Sequence, residues 1–215
     1  MNIAVVPPEI AFEDTDLEAS ARASEAVPAP KRTVAGYGFW VFLLSDIIMF
    51  AALFAAYAVL VNATAGGPGG PQLFSQKSVA IETACLLLSS YTCGLMLLAV
   101  NSRQRGAFYL AAVFTFVLGA AFLGLEIREF ADMIARGATP QTSAFLSAFF
   151  TLVGCHGLHV AAGLLWLVVM MAQVAVKGFR ANVDRRLLCF SLFWHALDII
   201  WVALFTVVYL MGVRS

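Results

Sequence analysis

Apolar residues in this chain run on without interruption instead of alternating with polar ones. Crossing about 30 Å of hydrocarbon takes about 20 apolar residues. Five runs of that length lie between polar or Gly/Pro-rich breaks, at about 38–61, 78–100, 107–127, 143–173 and 187–211. Each predicts a transmembrane helix, and the fourth is long enough to need tilt or to project beyond the bilayer. Barrel strands would instead give alternating segments of about ten residues. The expected fold class is therefore all-α, a polytopic membrane protein with a bundle of five transmembrane helices occupying residues 37–215.

The breaks carry information of their own. Residues 1–36 are rich in Pro and Ala, hold the acidic block Glu13-Asp14-Thr15-Asp16-Leu17-Glu18, and read as a flexible N-terminal cytoplasmic tail. They lack the basic start and the apolar stretch of a cleavable signal peptide, so the first helix is expected to act as its own insertion signal. Residues 62–72 are dense in Gly and Pro and mark an exposed turn. The stretch 101–106 is a short basic loop, 128–142 mixes charges ahead of Gly137 and Pro140, and 177–186 holds Lys177, Arg180, Arg185 and Arg186. With the N-terminus in the cytoplasm, nine basic residues fall inside and four outside (Lys77, Arg128, Arg136, Arg214), which favours N-inside and C-outside. Tyr37, Trp40, Trp166 and Tyr209 lie towards span ends, where aromatic belts form, whereas Trp194 and Trp201 lie deeper.

Composition strengthens the membrane reading: 61% of residues are hydrophobic and 12% charged, against about 25% charged in soluble domains. The formal net charge is zero, so no basic surplus exists for binding nucleic acid. Cys85, Cys93, Cys155 and Cys189 fall within or beside apolar runs and form no C-x-x-C, so they read as small buried apolar residues. Small residues recur four apart, as at Ala51/Ala55, Ala52/Ala56, Ala120/Gly124, Ser147/Thr151 and Gly157/Ala161, and allow close helix–helix approach.

Ionisable groups inside a span cost about 2.5–3.5 kcal/mol each, so those present need a reason. Glu82 and Glu126 fall near predicted outer helix ends, where a carboxylate can snorkel or cap. Asp46 and Asp198 come near mid-membrane, about 12 and 16 Å into their helices. His156 and His159 share a helix face, as do His195 and Asp198, and antiparallel fourth and fifth helices would bring a His–Asp contact within reach. Three readings stay open for this set: metal or haem ligation, a proton path, and an interhelical polar network that fixes register or faces a partner or lipid. No nucleotide, phosphate or hydrolytic motif occurs, and no inverted repeat or pair of broken helices suggests a transporter.

Several motifs then form a recognisable set. Phe39-Trp-Val-Phe-Leu-Leu-Ser-Asp46, Glu82-Thr-Ala-Cys-Leu-Leu-Leu-Ser-Ser90, His156-Gly-Leu-His-Val160 and Phe193-Trp-His-Ala-Leu-Asp198 resemble subunit III of haem–copper oxidases, in order and over about residues 36–213. Gly124-Leu-Glu126-Ile-Arg-Glu129-Phe, Ser143–Gly154, Phe205–Gly212 and the loop Asn62–Pro68 look most like the branch of cytochrome bo-type ubiquinol oxidases. Five helices suit that branch, since mitochondrial-type subunits III have seven.

The resemblance implies a subunit without catalytic, cofactor-binding or metal-binding residues of its own. It would pack beside subunit I, which holds the haem and copper, with subunits II and IV and phospholipid as further partners and ubiquinone reached through the complex. The complex oxidises ubiquinol, reduces oxygen and pumps protons; subunit III supports its assembly, stability and lipid binding in the bacterial inner membrane. Asp46, Glu82, Glu126, Glu129, His156, His159, His195 and Asp198 are the expected intramembrane polar network or lipid and subunit contacts. The carboxylate known for carbodiimide reactivity in mitochondrial-type subunits lies a few residues before the position matched by Glu82, so that role does not transfer. The alternatives are subunit III of a cytochrome c oxidase or of a nitric-oxide-reductase cluster, or an autonomous proton-conducting or haem-binding membrane protein.

Overall fold

The computed structural model describes residues 31–65 and 76–210. The N-terminal tail before Lys31, most of the Gly/Pro-rich turn, and Arg214 lie outside the described residues. Five helices follow in order: α1 (Lys31–Leu60), α2 (Gln76–Asn101), α3 (Arg105–Ala135), α4 (Ala144–Lys177) and α5 (Ala181–Leu204), the last continuing into a π-helical turn, Phe205–Leu210. All five are long and apolar enough to cross a membrane.

The helices overrun the apolar stretches that announce them. Already helical at Lys31, α1 starts seven residues before its apolar run, so the predicted boundary after residue 36 lies inside it. The charged segment Arg128–Ala135 is wound into α3, because Arg, Glu, Met and Ala are good helix formers whatever their polarity. At 34 residues, α4 spans about 50 Å, well beyond the hydrocarbon layer. Ser143 caps it, its Oγ accepting from the Leu146 N–H at 3.2 Å.

Two hairpins organise the bundle. α2 and α3 are joined by a tight turn in which Arg103 adopts φ 56°; α4 and α5 meet at Gly178, φ 67°, a conformation that favours glycine. Arg103 ties the two turns together, donating from Nη1 to the Phe179 carbonyl at 2.8 Å and pairing through Nη2 with Asp184 at 3.0 Å. These turns share one end of the bundle with the start of α1.

The core forms where α5 packs on α2, α3 and α4. Trp194 of α5 is wedged between two glycines: a Cβ on Gly119 of α3 or Gly163 of α4 would come within 2.9 Å of its ring. Among the small residues expected to mediate close packing, Gly157 does so, whereas Gly124 has open space and Ala51, Ala52, Ala55 and Ala56 are exposed. Periodicity shows that small residues share a face, and the fold decides which face is used.

α1 packs chiefly on α4 and α5 rather than on its sequence neighbour α2. Its buried seam is Leu43, Phe50 and Tyr57, spaced by seven as in left-handed helix pairs. Phe39 meets Trp166, Phe50 meets His159, and Tyr57 meets Phe145, with ring centroids 5.8, 5.3 and 6.0 Å apart.

Candidate functional site

Among the described residues, the ionisable side chains inside the bundle fall into three groupings. The first is acidic. Glu82 projects from α2, six residues after its start, while Glu126 and Glu129 share one face of α3. Glu82 is 0% exposed and Glu126 3%. The expectation that both reach the interface as snorkelling or capping acids is therefore corrected. Depth along the axis allowed it, but both side chains point inward, and α3 continues nine residues beyond Glu126. Tyr209, expected in an aromatic belt, is also buried, and its hydroxyl lies 3.3 Å from Glu129 Oε2. Wound at more residues per turn than α5, the π-helical turn carries Val208 and Tyr209 inward together.

Glu126 comes close to α4 only because residue 157 is glycine: a Cβ there would lie 2.6 Å from Glu126 Oε1. Both oxygens of Glu82, Oε2 of Glu126 and Oε1 of Glu129 have no hydrogen-bond partner among the described residues. Glu82 and Glu129 line a cavity of about 310 Å³ shared with Ser78, Arg128, Asp132 and Arg136. Arg128, Asp132 and Arg136 are exposed at this end of the bundle.

The second grouping joins α2 to α5 through hydroxyls. Ser90 Oγ lies 2.7 Å from His195 Nδ1, and the Asp198 carboxylate lies near the same hydroxyl, its Oδ1 without a hydrogen-bond partner among the described residues. His195 and Asp198 share a face as their spacing requires, and the hydroxyl beside them belongs to α2. No hydrogen bond joins Asp198 to a histidine of α4 or of its own helix among the described residues. Two parallel bonds extend this seam: Trp194 Nε1 donates to Ser89 Oγ and Trp201 Nε1 to Thr83 Oγ1, each at 3.1 Å. Buried indoles need such partners, which explains why both tryptophans sit deep.

The third grouping holds the α4 histidines. His156 is 0% exposed, and neither ring nitrogen has a hydrogen-bond partner among the described residues. It lies among Trp201, Phe122 and Phe50, at centroid distances of 5.3, 5.8 and 6.3 Å. His159 Nδ1 lies 2.7 Å from the Cys155 carbonyl oxygen one turn earlier. Asp46 of α1 is part-exposed and neighbours Cys155. Among the described residues no group of three or more His, Cys, Asp or Glu could hold a metal ion.

Sequence reasoning passed over Ser89, Ser90 and Thr83, since hydroxyls are common and inexpensive in membrane helices. A usable clue was present: Ser90 and His195 fall at matching depth if α2 and α5 run antiparallel.

Comparison with known proteins places this architecture. The family model for cytochrome c oxidase subunit III matches residues 11–213. The chain is 54% identical over 176 residues to "Cytochrome bo(3) ubiquinol oxidase subunit 3" of Pseudomonas aeruginosa, covering 82% of this chain and 84% of that protein. It is 43% identical over 178 residues to "Quinol oxidase subunit 3" of Bacillus subtilis, covering 81% and 86%. Against "Cytochrome c oxidase subunit 3" of Bacillus sp. (strain PS3) it is 42% identical over 191 residues, covering 87% and 92%. Five helices long and apolar enough to span a membrane and a match over nearly the whole chain agree, and this multi-pass membrane protein belongs to the cytochrome c oxidase subunit III family.

Proposed function

We propose that this chain is the third subunit of a bacterial terminal oxidase that takes electrons from ubiquinol, and that it works without a redox centre of its own. The observation that carries this reading is the 54% identity to a ubiquinol oxidase subunit across most of both chains. In this role the chain packs beside subunit I, where haem and copper reside, with subunits II and IV completing the complex in the inner membrane. The polar set supports a structural part: Ser90 and His195 meet across α2 and α5 with Asp198 beside them, which suits a network that holds helices in register. The basic turns at 102–104 and 178–186 favour the cytoplasm for that end of the bundle, which puts the start of α1 inside.

Phospholipid is the further partner this reading includes. A pocket lined by Phe39, Trp166, Arg185, Arg186 and Cys189 lies towards the cytoplasmic end of α1 and α5, and an apolar groove between the same two helices is lined by Trp40, Phe50, Phe54, Leu192 and Ile199. Two guanidinium groups above an apolar trough match a phosphodiester above an acyl chain.

The test is to purify the complex from native membranes and assay it with ubiquinol and with reduced cytochrome c. Oxygen uptake with quinol alone supports the proposal; uptake with cytochrome c alone overturns it. The second outcome is the reading favoured by the 42% identity to a cytochrome c oxidase subunit. Reporter fusions test topology, and an alkaline phosphatase active when fused before α1 would reverse it.

A further inference from the structure

We propose that Glu82, Glu126 and Glu129 form a hydrated acid site, a pocket that binds water beside a cluster of carboxyl groups retaining at least one exchangeable proton. The first support is the accounting of polar atoms. Four carboxyl oxygens on three buried or half-buried residues have no hydrogen-bond partner among the described residues: both of Glu82, one of Glu126 and one of Glu129. Buried polar atoms in native proteins are almost always satisfied by protein or by ordered water, and among the described residues the Tyr209 hydroxyl lies 3.3 Å from the other Glu129 oxygen.

Charge leads to the same occupant. Glu82 on α2 and Glu129 on α3 line one cavity, Glu126 lies one turn before Glu129 on the same helix, and no Lys or Arg is paired with any of them among the described residues. Arg128 and Arg136 border the cavity but sit exposed at its rim with Asp132. α4 contributes Gly157 and the aromatic-packed His156, and the end of α5 contributes Tyr209, none of them a counter-ion. Several unpaired carboxylates buried together would cost far more than the fold can supply, whereas retained protons remove that cost. Among the described residues no group of three or more His, Cys, Asp or Glu is placed to hold a metal ion.

The cavity supplies the rest. At about 310 Å³ it has room for several waters, each of which needs two to four polar partners, and the orphaned oxygens of Glu82 and Glu129 provide them. Its rim residues are exposed at the end of the bundle where α2 begins and α3 ends, so the proton can exchange with the aqueous phase there. In the core, Phe122 and Trp201 pack edge to face at 4.6 Å beside His156. The site therefore holds a proton and exchanges it at that end of the bundle.

Infrared spectroscopy of the purified complex, with Glu82→Gln, Glu126→Gln and Glu129→Gln variants, tests this independently of the electron donor. The expected result is a protonated-carboxyl C=O band in the wild-type complex that shifts when H₂O is exchanged for D₂O. At least one variant should lose it, while Asp132→Asn at the rim should keep it. Where a variant drops out of the complex, as judged by subunit III content, the wild-type exchange and the remaining variants decide. Absence of any exchangeable carboxyl band common to these residues overturns the proposal. So does a stoichiometric metal ion, found by elemental analysis, that Glu82→Gln removes.

Discussion

The indole nitrogen of Trp194 donates to Ser89 Oγ at 3.1 Å while its ring occupies the space that Gly119 and Gly163 leave open. One side chain thereby fixes three helices against α5. Replacing Gly163 with Val forces the ring out of a slot with no spare room, at a cost of about 1–3 kcal/mol. Trp194→Phe keeps most of the packing but loses the hydrogen bond, for which interhelical bonds in membranes average about 0.6 kcal/mol. In thermal denaturation of the detergent-solubilised complex, Gly163→Val should release subunit III at a clearly lower temperature than Trp194→Phe. The reverse order would show that the slot is not close-packed.

Gly157 and Glu126 provide a sharper test by double substitution. Gly157→Ala should destabilise, since its methyl would meet the carboxylate at 2.6 Å. Glu126→Ala combined with it should recover part of the loss, because contacting residues couple by about 0.5–3 kcal/mol. Additive losses in subunit III retention would mean that the contact is not the cause.

Ser90 offers a third. With Ser90→Ala, the half-buried His195 loses its hydrogen-bond partner, and leaving a polar group unsatisfied inside the bundle costs about 1–3 kcal/mol. Ser90→Ala and Asp198→Ala should each deplete subunit III from the purified complex, while the complex that keeps it shows nearly normal initial quinol oxidation and faster inactivation during turnover. Full subunit content with lost turnover or pumping would instead assign these groups to a proton path.

Five helices were legible in the sequence because a membrane span must be long and apolar, and hydropathy measures both. The inward direction of Glu82 and Glu126 was not legible, because position along a helix gives depth and says nothing of azimuth, which depends on where α4 and α5 pack. Likewise the spacing of His195 and Asp198 gave a shared face, yet the hydroxyl that bonds His195 comes from a helix about a hundred residues away. Tyr209 was misjudged because a π-helical turn alters the rotation per residue, and nothing in Phe-Thr-Val-Val-Tyr-Leu announces that winding.

The lipid groove yields a chemical prediction. Arg185→Gln with Arg186→Gln should lower the anionic phospholipid co-purifying with the complex, read by mass spectrometry of the intact assembly, and leave neutral lipid unchanged. Unaltered lipid content would remove these guanidinium groups as headgroup ligands.

The seam of Leu43, Phe50 and Tyr57 joins α1 to α4 and α5, the last parts of the bundle to be synthesised. During translation at roughly 5–20 residues per second, α1 must therefore wait in the bilayer for seconds with its contact face bathed in lipid. Throughout that interval Asp46 must be tolerated by a solitary helix. Closure of the bundle is thus a late, post-insertion step, in which the first helix to enter the membrane is among the last to find its place.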